Sequence, residues 1–454
     1  MNLNFIWRVV YRFYRVMSWL IYWAQRRLTL TGWMVLTGFI WLASFGALDT
    51  ETLTAYQGVP LLLLLLASSV VFSWFFRLKF SAVRLLPRFG TAGQPFVYRV
   101  RIRNLTSKVQ RGLTLLENPA DPRPTFEEWL ARQLAEERKV RSLRLSRPQQ
   151  RYNPFRVATL ENAAVPPIPP NSEAEVQITV TPLRRGLFRF EGLTLARTDP
   201  FGLFRAFVRH PAPQTILILP KRYPLPPVVL PGAMRFQQGG VALASNVGQS
   251  DEFVSLREYR RGDPLRRIHW RSWARIGKPI VREFEDEFFS RYALVLDTFS
   301  DEPFSEPFEE AVSIASSFAC AIRTQESLLD LLFVGTQAYC FTTGRGLAHV
   351  DQMLEILASV RVCTDKSFET LETLALNHAE SVSGCICVFL AWDQPRRRFV
   401  EKLIALDVPV RVVVVLADKP KQPLDPGPLR DAPEHFHTLV AGQIEKGLSE
   451  IYEM

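Results

Sequence analysis

The chain has 454 residues, 47 % apolar and 22 % charged, with 23 Gly and 32 Pro, a composition that excludes disordered, collagenous and low-complexity proteins. The length suits two or three domains, each with its own core. The formal charge is +10 at pH 7, but residues 1–118 hold fourteen Lys/Arg against only Asp49, Glu51 and Glu117, a net of +11 that leaves −1 for the rest. A nucleic-acid-binding domain carries such an excess on its globular part; here it flanks the most apolar stretch, so no nucleic-acid partner is expected.

Between Phe5 and Trp23 aromatics alternate with Arg8, Arg12 and Arg15, whose spacing of four and three puts them on one helical face. Residues 1–27 read as an amphipathic helix in a lipid interface, arginines toward anionic head groups. The alternative is a helix packed on a water-soluble body. Residues 28–48 and 52–76 are uncharged runs of 21 and 25. At about 1.5 Å per residue each is long enough for about 30 Å of hydrocarbon. Residues 28–80 therefore predict a transmembrane hairpin, with helices over about 30–48 and 57–76 and a short exterior loop. Basic residues before the first run and after the second (Arg77, Lys79, Arg84, Arg88) place both termini and the large domains in the cytoplasm of a multi-pass inner-membrane protein. A cleaved leader fits poorly, because the first run begins late and no small-residue site precedes the second.

From Ser81 the period is two: Phe96, Tyr98, Val100 and Ile102 alternate with Val97, Arg99, Arg101 and Arg103. This predicts an antiparallel β-sandwich over 81–245, interrupted by a charged insertion at 121–156 whose residues 127–145 have helical composition. From 246 to 454 apolar strands at 292–296, 328–334, 386–391 and 408–416 alternate with helical segments at 307–322, 347–360 and 368–379. That describes a mostly parallel, doubly covered sheet, an α/β domain whose ligands bind beyond the carboxyl ends of the strands. The five cysteines all lie between 320 and 387, and Cys385 and Cys387 read as core thiols of a strand rather than half a metal site.

Two segments, RRGLFRFEGLTLARTDPFGLFR (184–205) and DEFVSLREYRRGDPLRRIHWRSWARIGKPIVREFEDE (251–287), resemble the bacterial family filed as domain of unknown function fifty-eight. Its signature runs approximately LREYxxGDxxRxIxWxxxAR. The resemblance implies a membrane anchor and a last domain similar to a von Willebrand factor A domain. It also implies association with AAA+ ATPases of the MoxR group or transglutaminase-like membrane proteins. The match places Arg257, Tyr259, Gly262, Asp263, Arg267, Trp270 and Arg275 in the signature. Residues 251–287 hold nine bases and eight acids, too balanced for phosphate binding. They read either as a packed ion-pair network with Trp270 and Trp273 buried, or as a partner-binding surface in which Arg and Trp are hot spots. His269 reads as structural.

In a von Willebrand factor A domain Mg2+ is held through Asp-x-Ser-x-Ser, with a Thr and an Asp from later loops. The corresponding stretch is Asp297-Thr298-Phe299-Ser300-Asp301. Phe299 cannot ligate, so the resemblance implies a degenerate site: Asp297, Ser300, Asp301, Thr364 and Asp393 are the candidate oxygen donors for a hard cation. If no ion binds, Asp297 hydrogen-bonds its own loop. There is no GxxxxGK, HExxH or GxSxG, and nothing brings Cys363 to His378 as thiol and base. The expectation is a non-enzymatic, membrane-anchored adaptor for a protein partner; the alternative is a metal-dependent hydrolase using Asp297, Thr364 and Asp393.

Overall fold

The computed structural model describes residues 3–48, 53–121, 123–141, 156–225, 253–261, 265, 268–284, 290–300, 302, 305–322, 327–344, 347–420 and 422–453. By contacts the chain forms two units. The first is Met1–Tyr223 with Ser300–Ser316 and Leu354–Thr364; the second is Pro224–Phe299 with Ser317–Met353 and Asp365–Met454.

The first unit begins with three helices, α1 (Leu3–Arg27), α2 (Leu30–Leu48) and α3 (Leu53–Trp74). Then follow β1 (Phe80–Leu85), β2 (Phe89–Thr91), β3 (Phe96–Asn104), β4 (Leu113–Pro119), α4 (Phe126–Arg141), β5 (Ala158–Leu160), β6 (Ala163–Val165), β7 (Glu173–Pro182), β8 (Gly186–Thr198) and β9 (Arg205–Leu219). One sheet has the order β1-β3-β7-β5 and the other β2-β9-β8-β4-β6. Period-two alternation decides which face of each strand is inside. On β3, Tyr98, Val100 and Ile102 are buried while Val97, Arg99 and Arg101 are exposed. Ile178 and Val180 of β7 share the core with Leu115, Phe190, Leu195 and Ile218 of the other sheet.

One ion pair crosses this core. Arg84 of β1 donates Nε to Glu117 Oε1 (3.1 Å) and Nη2 to Oε2 (2.7 Å), and Tyr98 donates its hydroxyl to Oε1 (2.7 Å). Nη1 reaches Ala212 O and Gln214 Oε1, and the guanidinium lies 4.3 Å from the Phe190 ring centre. Both side chains are fully buried, so charge is tolerated only because almost every donor and acceptor is matched. Burial, then the neighbouring Glu117, pushes the Tyr98 hydroxyl far above its usual range.

The helices hang on the turn between β8 and β9. Asp199 accepts from the backbone N–H of Phe201, Leu203 and Phe204, and Gly202 sits at φ +74° to close the turn. Thr29 caps α2 by accepting from Gly32 N (3.0 Å), and its own hydroxyl, with that of Thr31, donates to Gly202 O. A Cβ at Gly32 would stand 2.2 Å from Leu203 O, so only glycine fits. From α3, Ser69 donates to Asp199 Oδ2 (2.7 Å). The segment 184–205, which the sequence shows only as a resemblance, is thus the hairpin and turn that anchor these helices.

Among the described residues no helix is long and apolar enough to cross a membrane. The expected transmembrane hairpin over about 30–48 and 57–76, and with it the multi-pass inner-membrane placement with both termini cytoplasmic, is corrected. The uncharged runs contain polar positions that the fold uses: Thr29, Thr31, Ser69 and Ser73 sit among protein groups, and Ser69 is 1 % exposed. The outer faces stay apolar, with Leu30, Trp41, Leu64 and Trp74 exposed. α1 packs along α4: Tyr11 donates to Pro124 O (2.8 Å), and Trp7, Tyr11 and Tyr14 surround Trp129. Arg8, read as facing head groups, has its guanidinium 5.8 Å from the Phe126 ring centre. Arg12 and Arg15 are exposed.

The second unit opens with β10 (Phe253–Glu258), α5 (Trp270–Ile276) and β11 (Ile280–Phe284). Next come β12 (Ser290–Leu296), α6 (Glu306–Ala321), β13 (Ser327–Val334), β14 (Ala338–Thr343), α7 (Leu347–Ser359), α8 (Phe368–Ala379), β15 (Gly384–Phe389), α9 (Gln394–Ala405), β16 (Val410–Leu416), β17 (Phe436–Val440) and α10 (Ile444–Glu453). α6 and α7 have residues in both units. The sheet order is β14-β13-β12-β15-β16-β17, parallel except for β14. Every residue of β15 is buried, as are residues 293–296 of β12, the pattern of strands covered on both faces.

Candidate functional site

From β12 the chain winds toward β13 and β14, and from the adjacent β15 it winds the other way, toward β16 and β17. Such a reversal opens a crevice beyond the carboxyl ends of the two central strands. Asp297 follows β12 at this point and is fully buried. Its backbone N–H continues the ladder to Val388 O (2.9 Å). Its carboxylate accepts from Phe299 N at Oδ1 (3.0 Å) and from Leu390 N at Oδ2 (3.1 Å). Arg396 of α9 adds Nε to Oδ2 (2.7 Å) and sends Nη1 to Asp393 Oδ2 (2.6 Å).

Asp393 is the N-cap of α9 and also accepts from Arg396 N (3.3 Å), while a proline opens the helix, the usual chemistry of a helix start. The guanidinium lies 4.8 Å from the Phe368 ring centre, and Phe299, Phe389 and Phe399 pack against the same ring. Burial alone would lower the Arg396 pKa, but Asp297 and Asp393 outweigh it and leave it above the ordinary value. Thr298 is buried with its hydroxyl on Val334 O.

Of the five candidate metal ligands, the fold brings Asp297 and Asp393 together, onto one guanidinium. Ser300 and Thr364 belong to the first unit, and Asp301 lies outside the described residues. Among the described residues no group of three or more His, Cys, Asp or Glu could hold a metal ion. Among the described residues the donor set does not fit a divalent cation: Mg2+ takes six oxygens at about 2.0–2.1 Å, whereas the described part of this crevice offers two carboxylates already engaged and an aromatic floor. Sequence reasoning missed Arg396, which sits in a basic run, Arg396-Arg397-Arg398. The available signal was the Asp-x-x-Arg spacing at a helix start.

The signature segment forms an antiparallel hairpin of β10 and β11 whose connection carries α5. Tyr259 N donates to Pro279 O and His269 N to Ile280 O, while Ile268, Ile280 and Val281 are buried beneath. His269 Nδ1 and Ser272 Oγ are 2.6 Å apart, consistent with a structural histidine. Gly277 ends α5 at φ +77°, its N–H on Trp273 O, a left-handed cap that favours glycine. No residue of α5 is buried. Trp270 is 64 % exposed and stacks on Trp273 at 5.2 Å and 19°, so the expected burial of Trp270 is not found. Leu256, Leu265 and Ile276 of the same segment are exposed, and so are Arg271 and Arg275, which no ion pair engages among the described residues. Lys278 pairs with Glu258 (3.1 Å). Gly262, Asp263 and Arg267 lie outside the described residues.

Elsewhere, His378 Nδ1 bonds Leu374 O in its own helix. Cys385 and Cys387 are buried free thiols, 3.6 Å apart, and burial raises the Cys387 pKa well above its usual value. A cavity of about 310 Å³ opens at the amino end of β16, the opposite edge of the sheet from Asp297, lined by Ile404, Val408, Arg411, Leu429, Asp431 and His435 among others.

Residues 255–428 match the family described as "Protein of unknown function DUF58". Over 126 residues the chain is 30 % identical to "Uncharacterized protein YeaD" of Bacillus subtilis (strain 168), an alignment covering 27 % of this chain and 31 % of that protein. The chain thus spans about a third of the length of that relative. Among solved structures, a CARDB domain from Pyrococcus furiosus has a TM-score of 0.16 at 10 % identity, covering 31 % of this chain and 93 % of that one. A PapD-like domain of human CEP192 has a TM-score of 0.17 at 8 % identity, covering 31 % and 85 %. At those scores neither bears on function.

Proposed function

We propose that the chain is a non-enzymatic docking protein, an adaptor whose signature hairpin receives a protein partner on α5. One observation supports this above the rest: α5 buries none of its own residues, yet displays a stacked tryptophan pair. A side chain as exposed as Trp270 adds little to folding. Covered by a partner, an aromatic of this size removes about 150–250 Å² from water, worth several kcal/mol at about 25 cal/mol per Å². Arg271 and Arg275, one turn apart, add the planar donors that interfaces favour around such an anchor. The partner class implied by the sequence resemblance is an AAA+ ATPase of the MoxR group. A metal-dependent hydrolase built on Asp297, Thr364 and Asp393 has less support, because Arg396 engages both carboxylates.

The test is binding of the full chain to a purified MoxR-type ATPase, with Trp270→Ala as the probe. Loss of a hot-spot anchor of about 2 kcal/mol or more weakens binding roughly thirtyfold. The melting temperature should stay nearly unchanged, since Trp270 is 64 % exposed. Equal affinity of the two proteins refutes the assignment of α5.

A further inference from the structure

We infer that Arg396 is the resident cation of the crevice at the ends of β12 and β15, so that this site works without a metal ion. The sequence resemblance implies Mg2+ at Asp297; the donor set disagrees. Asp297 is fully buried and its two oxygens already accept three hydrogen bonds: from Phe299 N, Leu390 N and Arg396 Nε. The guanidinium also joins Asp393 through Nη1 at 2.6 Å. It therefore bridges two carboxylates from two different loops, which is the work of a divalent ion in a site of this kind.

The surroundings point the same way. A hard, hydrated cation needs oxygen on every side, whereas Phe368 presents a ring face 4.8 Å from the guanidinium carbon, backed by Phe389 and Phe399. A weakly hydrated, planar cation is suited to that face. Position 299, where the resemblance places a ligand serine, is a phenylalanine that packs on the same ring. An entering Mg2+ would have to displace a charge that never deprotonates, because arginine stays ionised throughout the working range. The consequence is a crevice whose shape is independent of ion concentration, with the start of α9 held to the β12 loop by a charge in the chain itself.

The test uses the full chain. Thermal melts and calorimetry with Mg2+, Mn2+ and Ca2+ against EDTA should show no saturable heat and no shift in melting temperature. Arg396→Gln, which leaves a buried carboxylate uncompensated, should lower the melt by about 5 °C or more, and Arg396→Lys, which keeps the charge, should retain at least half of that loss. Saturable divalent binding that Asp297→Asn abolishes would overturn the inference, as would an Arg396→Gln protein that melts like the wild type. If Arg396→Gln fails to fold, the wild-type ion titration and the Lys variant decide it.

Discussion

Arg84→Met is the most informative perturbation of the sandwich. The substitution keeps most of the apolar stem and removes five donors from a fully buried site. Glu117 then retains only the Tyr98 hydroxyl, and Ala212 O and Gln214 Oε1 each lose a donor. An unpaired buried charge costs about 3–5 kcal/mol, and each orphaned neutral acceptor adds about 1. The sum is about 5–7 kcal/mol, or a fall of roughly 10–28 °C at about 2–4 °C per kcal/mol for a domain of this size. Differential scanning calorimetry of the full chain reads it. The double variant Arg84→Met/Glu117→Leu removes both charges and should recover about half of the loss, a coupling that only a direct interaction produces. A fall below about 3 °C in the single variant, or strict additivity in the double, would refute the claim that this pair is the polar clamp of the two sheets.

Asp199→Ala leaves Ser69 and three backbone N–H groups without their acceptor; it should cost about 3 kcal/mol and speed amide exchange in residues 201–204, which mass spectrometry of exchanged peptides measures. His437 is held down to about 4 from an ordinary 6.5, first by burial and then by Arg411 and His435. A depressed pKa means that the unfolded chain takes up the proton more readily, so the stability it supplies is complete above pH 6.5 and is lost as the pH falls toward 4. His437→Gln should flatten the melting temperature over that window, and a slope unchanged from wild type would count against the assignment.

Much of the core was readable because it rests on local periodicity. The alternation of residues 96–103 matches β3 residue by residue, and the apolar run at 292–296 is the inner part of β12. Of the helical composition at 127–145, residues 127–141 fall in α4, which runs Phe126–Arg141, while 142–145 lie outside the described residues. Properties that depend on partners far away in sequence were not readable. Arg396 belongs to Asp297, 99 residues earlier, and no window of neighbouring residues distinguishes a buried arginine from a solvated one. Asp393 was a candidate ligand by its place after a strand and proves to be a helix cap. Hydropathy over residues 28–76 measured length and absence of charge but could not reveal that Thr29, Thr31 and Ser69 find acceptors on a turn more than a hundred residues downstream.

That turn also sets an order of events during synthesis. The hydrogen bonds that seat α2 and α3 join residues 130 to 174 apart, so the first three helices leave the ribosome well before their anchor exists. At roughly 5–20 residues per second the delay is on the order of ten seconds. Throughout it their greasy surfaces wait uncovered. The chain's exposure to clumping is therefore decided by how quickly translation reaches Phe204, and slow codons between residues 75 and 199 should lower the yield of folded protein more than slow codons placed after it.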